Sequence, residues 1–162
     1  MANATIVKSV KDTLAVGSNI IESANSEVVY ISPPSLLVLA SNFGLVERAK
    51  LFMQKGGHAR GIADFSYPFI KEIRGWLDIG QDVRYIPQYQ GIFMLVGDRQ
   101  ESISSMSIDA KSLSVDTPIV ALWSDDPTYA EYLVSTFEMA WEQANPAIER
   151  IEELLQEGLP PV

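Results

Sequence analysis

The 162-residue sequence has no cysteine and a single histidine, His58. The first absence excludes disulfides, thiolate metal centres and cysteine nucleophiles. The second excludes multi-histidine zinc ligation and any chemistry that needs two histidines from one chain. No apolar run approaches the roughly 18 residues that span a bilayer. The opening MANATIVKSVKDTLAVGSNI lacks the continuous apolar core and small-residue cleavage site of a secretory signal. A cytoplasmic location without a membrane partner is therefore expected. Positive charge is also scarce: 12 Lys and Arg stand against 21 Asp and Glu, a net charge of −9. Nucleic-acid binding rests largely on neutralising phosphates with Lys and Arg. No basic cluster is visible, so direct nucleic-acid binding is not expected. Neither a Walker loop nor G-x-G-x-x-G occurs, and no cofactor is expected.

What is present fits one globular domain over residues 1–162, for neither a repeat nor a Pro/Gly-rich linker divides the chain. Ile6, Val10, Leu14, Gly17, Ile21 and Ala24 recur at spacings of three and four, predicting an N-terminal helix within residues 1–25. Glu27 to Ser32 reads as a buried strand stopped by Pro33-Pro34. Ser35 to Lys55 reads as one helix ended by Gly56-Gly57. A second strand is expected at His58–Ala63, then a helix through Ile70, Ile73, Trp76 and Leu77, with Asp64 or Ser66 as its cap and Gly80 as its end. Asp82–Ile86 and Ile92–Val96 are further strands. Gly97–Gln100 is a turn that returns Glu101–Ile108 as a hairpin, and 110–117 is loop. A strand at 118–123 leads through Ser124-Asp125-Asp126-Pro127, a strong helix start, into a helix carrying Leu133, Phe137 and Trp141. Asn145-Pro146 breaks it before a last helix, 147–156, whose acidic run (Glu149, Glu152, Glu153, Glu157) is a solvated face. The fold class is α/β: a mixed β-sheet flanked by helices.

The run GGHARGIADFS…IKEIRGWLDIGQDVRYIPQYQGIFMLVGDRQESISSMS and the ending ALWSDDPTYAEYLVSTFEMAWEQA carry a resemblance across the last two thirds of the chain. They resemble the phospholipase-D-like sensor domains of archaeal regulators, among them TrmB-type transcription factors and sensory histidine kinases. The resemblance implies one phospholipase-D-like half. Active members carry H-x-K-x4-D followed by a G-S-x-N-like strand; histidine attacks phosphorus and lysine holds the phosphoryl oxygens. Asp98 matches the hairpin aspartate. Counting back, Gly91 stands at the histidine position and Phe93 at the lysine position, so this half is expected to be inactive. Ser104 and Ser105 lie in the following strand, with Ser107 at the asparagine position.

His58, Arg60 and Asp64 imitate the catalytic residue types with the spacing one residue short and arginine in place of lysine. His58 is therefore either a structural histidine at a strand start or the nucleophile of a degenerate phosphodiesterase. Ligand sites in α/β sheets gather at the carboxyl ends of strands. The ligand-binding candidates are Arg84, Arg60, Asp64, Asp98, Ser32 and Ser124, with no catalytic residue and no metal ligand among them. For Arg84, an arginine inside a short strand, either an ion pair with Asp64 or Asp98 or an anion-binding role is expected. Asp125-Asp126 read as helix-capping residues rather than metal ligands. The resemblance implies a regulatory sensor that binds a small molecule and works with a DNA-binding or kinase module. Pairing of two halves implies a homodimer.

Overall fold

The computed structural model describes residues 2–87, 92–105 and 113–157. In chain order its elements are β1 (Ala4–Ser9), α1 (Val10–Ser23), β2 (Glu27–Ser32), α2 (Pro34–Asn42), α3 (Leu45–Gln54), β3 (His58–Ala63), a 3-10 turn (Tyr67–Phe69), α4 (Ile70–Asp78), β4 (Asp82–Tyr85), β5 (Phe93–Gly97), β6 (Glu101–Ser105), β7 (Pro118–Ser124), α5 (Pro127–Gln143), β8 (Asn145–Pro146) and α6 (Ala147–Gln156). The strands form one mixed sheet in the order β1-β7-β6-β5-β2-β3-β4-β8. β2, β3 and β4 run parallel, joined by helical crossovers, and the remaining neighbours are antiparallel.

Alternation along the central strands divides the core. Val29, Ile31, Ile62, Met94 and Val96 point to one face, where Leu133, Val134, Phe137 and Trp141 of α5 cover them. Val28, Tyr30, Ala59, Val83, Phe93 and Leu95 point to the other, under α1 to α4 and α6. Strands buried on both faces read as continuous apolar runs, which is why Val28–Ile31 and Met94–Val96 show no alternation in sequence.

Four expectations about elements are corrected. The N-terminal helix begins only at Val10, because Ala4–Ser9 is a strand paired with β7. The β-branched run Thr5-Ile6-Val7 favours a strand, and its partner is over a hundred residues away, where local periodicity has no reach. Ser9 then caps α1, its Oγ accepting from the Asp12 N–H at 3.1 Å. The helix expected over 35–55 is two helices, broken where Gly44 adopts a φ of 91°. Neither Asp64 nor Ser66 caps α4, which follows the 3-10 turn with no side-chain cap. Pro68 occupies the second position of that turn and offers no N–H to a cap. Asn145-Pro146 does break the helix, but it also pairs with β4 as the last strand of the sheet.

Gly61 shows how closely the sheet packs. It lies opposite Tyr30 in the β2–β3 register, and a Cβ there would fall 2.0 Å from the Tyr30 ring. The phenol can lie across β3 only because this residue has no side chain.

Candidate functional site

The register sorts the candidate residues by position. Ser32 and Ala63 end β2 and β3 side by side, followed by Asp64, and Tyr85 ends β4 beside them. Phe93, the first residue of β5, and Ser105, the last of β6, face each other at the same end. Asp98, Arg99, Glu27, His58 and Ser124 lie at the opposite end, separated from Ser32 by the length of β2, roughly 16 Å at about 3.3 Å per residue. The six candidates thus do not form one cluster. Ser124 belongs to an antiparallel strand, so its carboxyl end points away from those of β2 to β4. Gly91 and Ser107 lie outside the described residues.

At the amino end, Asp98 has a structural role. Its carboxylate accepts from the N–H groups of Asn25 at 2.7 Å, Ser26 at 2.8 Å and Glu27 at 2.9 Å, and from the Ser26 hydroxyl at 2.8 Å. Partial burial pushes its carboxyl up, but these hydrogen bonds outweigh that and hold it below the ordinary aspartate value. Asp98 and Arg99 have φ of 53° and 56°, the left-handed turn geometry that joins β5 to β6. Arg99 extends the tie through Glu27 at 2.7 Å and Glu131 at 3.3 Å. Ser124 is likewise local, its Oγ accepting from the Asp126 N–H at 3.0 Å. Asp126 caps α5 through the Thr128 N–H at 2.9 Å, while Asp125 binds the Asn3 N–H and side-chain amide. His58 is exposed at this end of β3.

On the α5 face, Arg60 and Arg84 flank Trp141. The Arg60 guanidinium pairs with Glu138 and lies 5.1 Å and 5.3 Å from the ring centres of Phe137 and Trp141. Its hydrogen bond, stronger than the cost of partial burial, holds the Glu138 carboxyl below its usual range. Arg84 forms no ion pair with Asp64 or Asp98. It stacks 4.0 Å from the Trp141 ring centre and donates through Nη1 to the Trp141 carbonyl at 2.9 Å. The aromatic face and the helix-end carbonyl stand where a carboxylate was expected. Sequence spacing offers no signal for this, because Trp141 is 57 residues away.

The carboxyl end opens onto a further feature. Beneath it, between the sheet and α1 to α4, lies a cavity of about 50 Å³ whose wall includes Leu14, Gly17, Tyr30, Trp76, Gln81 and Phe93. Ser32 also reaches this wall. The Tyr30 hydroxyl donates to Gln81 Oε1 at 2.6 Å, and burial pushes the phenol well above its ordinary pKa, so it stays neutral. Phe93, only 6% exposed, therefore belongs to an apolar enclosure. Of the sequence candidates only Ser32 lines it. In sequence, Tyr30, Trp76 and Phe93 belong to the aromatics interleaved with the strands, most of them expected in the core and a few lining a pocket; these three stand in this wall.

Among the described residues, no helix is long and apolar enough to cross a membrane. No family model matches the sequence, and no curated protein matches it. Solved structures do resemble the fold. The phospholipase D family member Nuc from Salmonella typhimurium superposes with a TM-score of 0.71 at 12% identity, over 90% of this chain and 98% of that one. NucT from Helicobacter pylori gives 0.68 at 16% identity, over 90% and 99%. TrmBL2, an archaeal chromatin protein with a novel mode of DNA binding, gives 0.67 at 15% identity. That match covers 88% of this chain but 53% of TrmBL2, so this chain spans about half that protein's length. The architecture is that of a phospholipase-D-like half.

Proposed function

We propose, from this phospholipase-D-like fold, that the chain is a non-catalytic regulatory domain that binds a small molecule in signalling or transcription control. One observation carries the reading. Phe93, which the H-x-K-x4-D spacing aligns with the phosphoryl-holding lysine, is buried in the wall of an apolar cavity. A side chain there cannot hold phosphoryl oxygens, and the enclosure suits an uncharged guest. Asp98, the residue that does match the signature, is fully engaged with backbone N–H groups at the start of β2.

Partner modules supply the output in this reading. TrmBL2 binds DNA; here four of the six arginines are paired with carboxylates of the same chain, and the net charge is −9. Both features disfavour phosphate contacts by this unit, so a DNA-binding or kinase module is the proposed route to an output. The decisive assay is metal-independent hydrolysis of bis(4-nitrophenyl) phosphate. No turnover is expected. Turnover that His58→Ala abolishes would replace this reading with a degenerate phosphodiesterase using His58.

A specific observation favours a second role, self-association. Ile6 and Val120 are 51% and 66% exposed on adjacent strands β1 and β7. They lie on the face opposite buried Val7 and Ala121, beyond the strands α5 covers. Exposed apolar sheet faces mark interaction surfaces. Light scattering across a wide concentration range tests a homodimer, and a strict monomer would remove it.

A further inference from the structure

We infer that the cavity beneath β2, β3 and β5 is a binding site for a compact, uncharged, largely apolar molecule with one hydrogen-bond acceptor, received by the Trp76 indole N–H. The inference rests on the ligand-binding reading above and names the site and ligand chemistry.

Trp76 is 3% exposed and lines the cavity, yet its Nε1 has no hydrogen-bond partner among the described residues. Buried N–H groups without an acceptor are rare in folded proteins. The hydroxyl hydrogens nearby are engaged. Tyr30 donates to Gln81, Ser32 Oγ to the Pro33 carbonyl at 3.0 Å, and Thr13 Oγ1 to the Ser9 carbonyl at 2.8 Å. Among the described residues, the indole N–H is thus the one fully buried polar group of this wall left without a partner, beside the Gln81 amide and a lining otherwise mostly of aliphatic and aromatic carbon.

The same wall excludes other ligand classes. Among the described residues, none lining the cavity is charged, so a phosphate or carboxylate would enter without a counter-charge. A sugar would bury several hydroxyls against a described wall that offers few polar groups to receive them. Space is present: an added Cβ at Gly17 would meet nothing within 4 Å. One water needs about 10–15 Å³ by the same measure, so the 50 Å³ here holds roughly four separate waters, or a single small ring whose bonded atoms sit closer together.

The test uses cyclohexanone as the probe and cyclohexane as the shape control on the whole ¹⁵N-labelled chain. Loss of one indole cross-peak in Trp76→Phe assigns the Trp76 signal among those of the three tryptophans. Cyclohexanone is expected to move that indole proton downfield saturably, while cyclohexane does not. Trp76→Phe is expected to weaken the ketone by roughly three- to tenfold, the scale of one hydrogen bond, and to leave cyclohexane unchanged. Gly17→Leu, which plugs the void, is expected to abolish both. An unmoved indole at saturating ketone, equal ketone affinity in Trp76→Phe, or undiminished binding in Gly17→Leu would each overturn the site. If Trp76→Phe does not fold, the indole is assigned by triple-resonance methods and its response to ketone against hydrocarbon decides alone. A silent indole removes this site but leaves the non-catalytic reading standing, whereas phosphodiester turnover removes that reading and leaves the site untouched.

Discussion

Gly17→Ala should make the protein more stable, by an amount the cavity sets. Gly17 is buried in the interior of α1 with ordinary helical φ, so alanine fits the backbone. Replacing a helix-interior glycine with alanine gains about 0.8–1.0 kcal/mol. The new methyl meets nothing within 4 Å and enters the void; burying one such group adds about 0.8 kcal/mol. Together they give about 1.5–2 kcal/mol, or roughly 3–8 °C in Tm for a chain of this size. Gly75→Ala is the internal control. It is also helical with open space at its Cβ, but it does not line the cavity. It should gain only the propensity part, about 0.8–1.0 kcal/mol. Urea denaturation of both variants measures the difference directly. If Gly17→Ala gains no more than Gly75→Ala, the added methyl fills no void and the cavity argument falls. If it loses stability, the site is already packed, as over-packing costs typically about 1–3 kcal/mol.

Gly61→Ala should lose at least about 1–3 kcal/mol, since its Cβ must displace the Tyr30 ring from 2.0 Å; a Tm equal to the parent's would refute that packing. Asp98→Asn should cost about 1–3 kcal/mol at neutral pH by weakening charge-assisted bonds to three N–H groups. Because the folded pKa of Asp98 lies below the unfolded value of about 3.9, its contribution is complete above that value and is lost as pH falls through the folded pKa. The stability of the parent and Asp98→Asn should therefore converge in acid, and a constant gap down to strongly acidic pH would contradict the assignment. Arg84→Ala should cost about 1–2 kcal/mol through its stack on Trp141, while cyclohexanone binding stays unchanged, because Arg84 lies on the opposite face of the sheet from the cavity. Loss of ketone binding in this variant would move the ligand site to the α5 face.

Local chemistry made much of this architecture legible. Pro33-Pro34, Gly80 and Asp126-Pro127 mark boundaries through backbone constraints that act within a few residues, and the observed elements turn at each of them. The candidate site was less legible because its parts meet through long-range pairing. Asp98 could be matched to a signature, but its partners Asn25 to Glu27 lie 71 to 73 residues earlier. Arg84 suggested a buried charge in need of a carboxylate, and an aromatic ring answered it instead. The cavity was legible only as an expectation that a few of the strand-interleaved aromatics line a pocket, without its place or shape. A void is set by what α1 to α4 fail to fill against the sheet, and apolar residues at helical spacing look the same whether or not they touch.

The pairing of β1 with β7 sets an order on assembly. Ala4–Val7 precedes its partner, Ala121–Ser124, by more than a hundred residues, so this edge of the sheet closes only after all the residues between them are available. Contacts of such sequence separation form late and slow folding. Until then the outer edges of β6 and β7 and the apolar strip Ile6–Val7 are open to pairing with other chains, the condition under which sheets aggregate. Weakening the β1–β7 ladder should therefore lower the yield of soluble protein during refolding more than it lowers the stability of the finished fold.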